Sequence, residues 1–123
     1  MSDLHLDLQP EVALAGQWFD HLRQHSRSRL GVTRASYGEG EQMAHDLMRH
    51  IARDLALEQR LDAAGNLYLT LPGHDRSLPA IMTGSHLDSV PEGGNYDGAA
   101  GVVAGMPAAC NAAVIAATRC IPM

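Results

Sequence analysis

The residues best suited to chemistry lie in one run, GSHLDSVPEGGNYDGAAGVVAG, residues 84 to 105. His86 and Asp88 stand two apart after an apolar stretch that predicts a strand, so both side chains point to one face and the carboxylate can approach the imidazole. An imidazole that ligates a metal usually donates its other ring N–H to a carboxylate, which fixes the tautomer and raises the basicity of the ligand. In this pattern His86 is the metal ligand and Asp88 is the catalytic supporting carboxylate that orients it. Pro91, Gly93 and Gly94 force a tight loop before Asp97, the natural second ligand. A carboxylate with two oxygens can bridge a pair of metal ions about 3.5–4 Å apart, and such a pair can bind hydroxide and clamp a tetrahedral intermediate. Taken alone, a His two residues before an Asp is more often a surface hydrogen bond. The whole string of His, Asp, Pro, Gly-Gly, Asp and Gly behind an apolar strand is hard to meet by accident.

Several elements must position these groups. Val12, Ala15, Trp18, Phe19 and Leu22 fall at helical spacing after Pro10 and predict a first amphipathic helix ending near Ser26. The polar stretch SRSRLGVTRASYGEGE reads as a long loop, a kind that is often functional. Met43, Leu47, Met48, Ile51 and Leu55 set up a second helix over roughly residues 41–56. Then LEQRLD, AAGN and LYLTLP predict a hairpin with Leu67, Leu69 and Leu71 on one face. Ala80 to Met82 suit a buried strand ending at Thr83, Gly84 and Ser85. Gly98 and Gly101, followed by Val102 and Val103, begin a helix packed beneath the site. The order predicts an α/β fold in three layers, α/β/α.

The 123 residues suit one modest domain. A formal charge of −5 and a pI near 5.7 oppose a phosphate-tracking surface, so nucleic acid is not an expected partner. The start MSDLHLDLQPE lacks the basic and apolar pattern of a secretory signal, which makes the cytoplasm the expected location. Cys110 and Cys120 lack CxxC spacing and read as free thiols. Residues 98–118 carry no formal charge and could nominally span a bilayer, but they are mostly Gly and Ala and contain Pro107 and Asn111, so no membrane association is expected.

The run 84–105 resembles the metal-binding segment of the hydantoinase/carbamoylase group, which includes allantoate amidohydrolase, N-carbamoyl-L-amino-acid amidohydrolase and β-ureidopropionase. GVTRASYGEGE at 31–41 and DAAGNLYLTLPG at 62–73 are similar to further segments of that group. The eleven-residue step from His86 to Asp97 favours this branch over related aminoacylases and glutamate-type carboxypeptidases, where the interval is much longer. The resemblance implies the catalytic domain of a dinuclear metallohydrolase holding two zinc or manganese ions. His86 would ligate one ion, Asp97 would bridge both, and Asp88 would support His86. The implied reaction is hydrolysis of a linear amide or ureido C–N bond in a small molecule, with a Glu as general base.

The resemblance runs from about residue 8 to residue 105, so residues 1–105 are expected to form the N-terminal part of the catalytic domain. Residues 106–123 are expected to be an aberrant or truncated Ala-rich tail, a genuine helix over Ala108 to Thr118 being the alternative. A helix from Gly98 meets Pro107, which removes a hydrogen bond and costs roughly 3 kcal/mol. The Glu pair, the further ligands and the dimerisation lid of the family have no counterpart here. The isolated chain is therefore expected to be inactive, with a homodimer expected only were the lid present. The competing readings are a non-catalytic metal-binding or interaction module and a small membrane-anchored protein.

Other candidates carry less. His21 and His25 lie four apart on the first helix and could chelate a metal, although a solvated face explains them as well. His45 and His50 do not share a face, and His5 and His74 sit in loops. Arg34 and Tyr37 read either as contacts to a substrate carboxylate or as plain loop residues, leaving the substrate-binding residues unassigned. Ser85 and Ser89 flank the ligands without the GxSxG pattern of a serine nucleophile.

Overall fold

A computed structural model describes residues 8–109 and 114–117. Helix α1 runs over Gln9–Ser26, with Pro10 in its first turn, where the missing N–H costs no hydrogen bond. Only Leu22 of its apolar stripe is fully buried. Ala15, Trp18 and Phe19 are partly covered, and Val12 is exposed. Helix α2 spans Glu39–Asp54 and buries Ala44, Met48, Ile51 and Ala52.

Strands β1 (Glu58–Leu61) and β2 (Leu67–Thr70) pair antiparallel as the predicted hairpin. Asp62 closes its turn, accepting from the backbone N–H groups of Ala64 and Asn66 and from Asn66 Nδ2, while Gly65 supplies the positive φ of 86°. Leu67 and Leu69 enter the core, as their alternation predicts.

The third strand, β3, covers Met82–Ser85 and differs from expectation: it starts later and is exposed rather than buried. The sheet order explains this. The strands run β1-β2-β4-β3, which puts β3 at an edge. Strand β4 (Val114–Ala117) lies parallel to β3 and antiparallel to β2, where the sequence suggested an aberrant tail or a helix over Ala108 to Thr118. Helix α3 (Ala99–Ala109) connects β3 to β4 and accommodates Pro107 in its last turn, so the expected break at the proline is a late one. Cys110 and Cys120 lie outside the described residues, as does His5.

All three helices share one core with Leu67, Leu69 and Leu87. Each fully buried Leu or Met side chain there contributes roughly 1.5–3 kcal/mol. On the opposite face of β2, Tyr68 carries Arg60, whose guanidinium carbon lies 4.0 Å from the ring centroid. The α/β class matches expectation, whereas a second helical layer over that face is not found among the described residues. No helix among them is long and apolar enough to cross a membrane.

Candidate metal centre

The chain leaves β3 at Ser85 and enters an extended loop over residues 86–90, turning at 91–98 before α3 begins. His86 therefore sits just past the strand. Its Nδ1 lies 2.8 Å from Asp88 Oδ1 and 3.1 Å from the Asp88 carbonyl oxygen. Since a carboxylate and a carbonyl accept, Nδ1 carries the proton, and in the neutral form of the ring the lone pair lies on Nε2, where a ligand can use it. The second oxygen of Asp88 accepts a hydrogen bond from the hydroxyl of Ser36. Serine, carboxylate and imidazole thus form a chain in which each member restrains the next.

The face of His86 is set by a glycine. Gly98 adopts φ +65°, and a Cβ there would fall 2.6 Å from His86 Nε2 and nearer still to Cε1 and Nδ1. Backbone alone fits against this ring. One residue earlier, Asp97 lies exposed in the turn, its carbonyl accepting from Ala99 N–H at 2.6 Å.

Arg34 lies behind the two carboxylates and is completely buried. Its Nε donates to the Leu87 carbonyl at 2.7 Å, Nη1 to Asn95 Oδ1 at 3.1 Å and to Ser26 Oγ at 3.3 Å, and Nη2 to the Asn95 carbonyl at 3.1 Å. Its backbone exchanges bonds with Ser89, accepting at O from Ser89 N–H and donating from N to Ser89 Oγ. Burial lowers the guanidinium pKa from its ordinary value, while the nearby charges of Asp97 and Asp88 oppose that shift. Arg34 is therefore no plain surface-loop residue: its guanidinium holds both arms of the 86–97 loop, through Leu87 and Asn95.

Next to it the backbone zips. Val32 and Gly93 exchange N–H···O bonds at 3.0 and 2.9 Å, and Glu92 N–H donates to Thr33 Oγ1 at 3.0 Å. Glu92 returns the favour by accepting from the Leu30 N–H and the Ser28 hydroxyl, and these bonds hold its carboxyl below the usual range. The long polar loop of the sequence is thus a clamp on residues 87–95.

The structure brings His86 and Asp88 into direct contact. Asp97 sits at the far end of the same loop. Sequence reasoning missed Ser36 and Asn95 and the interior role of Arg34; a buried charged residue in a polar loop leaves no periodicity to find. Ser89 is a structural hydroxyl that accepts from Arg34 N–H and donates to the Val90 carbonyl. Tyr37 points over the hairpin turn, with its hydroxyl 3.5 Å from the Ala64 carbonyl oxygen. His45 is buried beside Glu41, with Nε2 3.9 Å from Oε1, whereas His50 and His74 are exposed.

The donor chemistry of His86 and Asp97 fits one side of a borderline or hard divalent ion, with Asp88 as the outer support of the imidazole. Among the described residues no group of three or more His, Cys, Asp or Glu could hold an ion. The sequence beyond Asp97 contains no further His, Asp or Glu.

No protein-family model matches the chain. Individual proteins do. The chain is 44% identical over 79 residues to an N-carbamoyl-L-amino-acid amidohydrolase of Paenarthrobacter aurescens, covering 64% of this chain and 19% of that protein. It is 41% identical over 76 residues to an allantoate amidohydrolase of Bacillus subtilis, covering 62% and 18% respectively. In structure it is similar to a hydantoinase/carbamoylase family amidase from Burkholderia ambifaria, with a TM-score of 0.82 at 26% identity over 87% of this chain and 29% of that one. The chain spans less than a fifth of the length of the curated relatives it matches. The likeness in sequence is thus to amidohydrolases of N-carbamoyl-L-amino acids and allantoate, and the likeness in fold is to a hydantoinase/carbamoylase family amidase.

Proposed function

We propose that residues 1–105 carry the first metal-ligating part of a dinuclear amidohydrolase that cleaves linear amide or ureido C–N bonds, as in N-carbamoyl amino acids, allantoate or similar small molecules. In this reading His86 and Asp97 would hold the ions, and Asp88 would orient His86. Zinc or manganese would polarise the scissile carbonyl and lower the pKa of water when bound. The chain's own residues present Nε2 of one defined tautomer, hold the imidazole against Gly98, and fix both ends of the loop through Arg34. The observation that carries the reading is the 2.8 Å contact between His86 Nδ1 and Asp88, in a chain similar in sequence to amidohydrolases of known name.

A chimaera tests the function directly. Placing residues 8–105 in the matching segment of the Paenarthrobacter enzyme should preserve metal-dependent hydrolysis of N-carbamoyl-L-amino acids, and Asp88→Asn in that chimaera should weaken metal affinity by about 10–100-fold. A folded chimaera without activity, or one whose metal affinity ignores Asp88→Asn, would sink the proposal.

A further inference from the structure

The C-terminal part of α1 carries two histidines that the centre described above does not use. His21 and His25 are four residues apart and so share a face of the helix, which is exposed at both positions. Their rings stack with centroids 4.1 Å apart and planes 21° from parallel, so the exposed His21 ring must turn about its side-chain torsions before both Nε2 lone pairs can meet one ion. Nδ1 of His25 lies 2.9 Å from the carbonyl oxygen of His21. A carbonyl only accepts, so this nitrogen holds the proton, and in the neutral form of the His25 ring the lone pair lies on Nε2. At metal sites a backbone carbonyl on the far ring nitrogen orients an imidazole ligand in this same way. Burial, and secondarily the neighbouring His25, lower the His21 pKa, which favours the unprotonated ring that a metal requires. The adjacent Arg23 is engaged by Asp20 at 2.9 Å.

We propose that His21 and His25 form a two-imidazole chelate for a divalent transition-metal ion of the Cu2+, Ni2+ and Zn2+ class, with water completing the coordination. Two neutral nitrogen donors select this class over Mg2+ and Ca2+, which take oxygen, and Cu2+ binds most tightly. The site lies on one helix and requires no residue of the His86–Asp97 loop. Its occupation would staple the turn that ends at Ser26, whose hydroxyl donates to the Leu22 carbonyl at 2.6 Å and accepts from Arg34 at 3.3 Å.

Ni2+ is the probe of choice, since Cu2+ would oxidise the thiols of Cys110 and Cys120. Titrated at neutral pH into the full chain carrying His86→Ala, Ni2+ should broaden the imidazole resonances of His21 and His25 first and raise the unfolding midpoint. His21→Asn and His25→Asn should each weaken binding by about tenfold or more, and the double variant should lose little beyond either single one, because removing one arm dissolves the chelate. Unchanged affinity in both single variants would overturn the proposal, as would broadening confined to other histidines. So would two small, additive losses, which describe independent surface rings.

Discussion

The segments on either side of β3 are built on opposite plans. After the strand, residues 86–97 are held by contacts from far away in sequence: Arg34 from inside, the Val32–Gly93 bridge along the backbone, and Ser36 on Asp88. Before it, residues 72–81 are exposed throughout, with Leu78 at 66% and Ile81 at 76% of full exposure. The polar contacts there are short-range or superficial, such as Asp75 with Ser77 and the exposed Arg76–Glu58 pair. The contrast teaches where the geometry of the centre originates. His86 is delivered by an edge strand, but its position is set by the loop at the end of α1.

Arg34→Met should produce the largest effect. The substitution keeps much of the volume while leaving the buried Leu87 carbonyl and the part-buried carbonyl and side-chain oxygen of Asn95 without their donor, at a cost of about 3 kcal/mol. Urea unfolding measures the loss directly. Arg34→Lys should recover only part of it, because an ammonium cannot reproduce the planar fork. A Met variant within about 0.5 kcal/mol of the parent would mean that the backbone bridge alone holds the loop.

Gly98→Ala comes next. The left-handed backbone costs an alanine roughly 1–2 kcal/mol, and the new methyl would overlap the His86 ring. The ring must move, which breaks its alignment with Asp88. Destabilisation should therefore come with a changed environment for the His86 imidazole in its NMR spectrum and with weaker metal binding. An alanine variant whose His86 resonances are unmoved would show that the ring does not rest on this glycine.

Legibility followed the same divide. The helices and the hairpin were readable because periodic apolar residues pack against one core, and the Asp62–Asn66 turn obeys local rules. The contact between His86 and Asp88 was readable because an imidazole and a carboxylate stand two apart just past a strand. Arg34, Ser36 and Asn95 were hidden because they act across more than fifty residues of sequence, through a loop whose polarity looks like solvent exposure. The exposure of β3 was hidden for a related reason: an apolar run specifies a strand but not its place in the sheet. Strand β4 was missed because an Ala-rich stretch also suits a helix, and its pairing with β2 and β3 is a tertiary choice.

The smallest effect should come from the segment before β3, where Ile81→Ala provides the complementary test. A large apolar side chain this exposed forfeits little burial when shortened, so stability should change by no more than about 0.5 kcal/mol. The His86 resonances should stay where they are. The comparison is sharpest when the variant is measured beside Arg34→Met, because Ile81 is five residues from His86 in sequence whereas Arg34 is fifty-two away. If the alanine variant instead displaced the His86 signal as far as Arg34→Met does, the edge strand would be positioning the imidazole. The clamp from the end of α1 would then be only one of two supports.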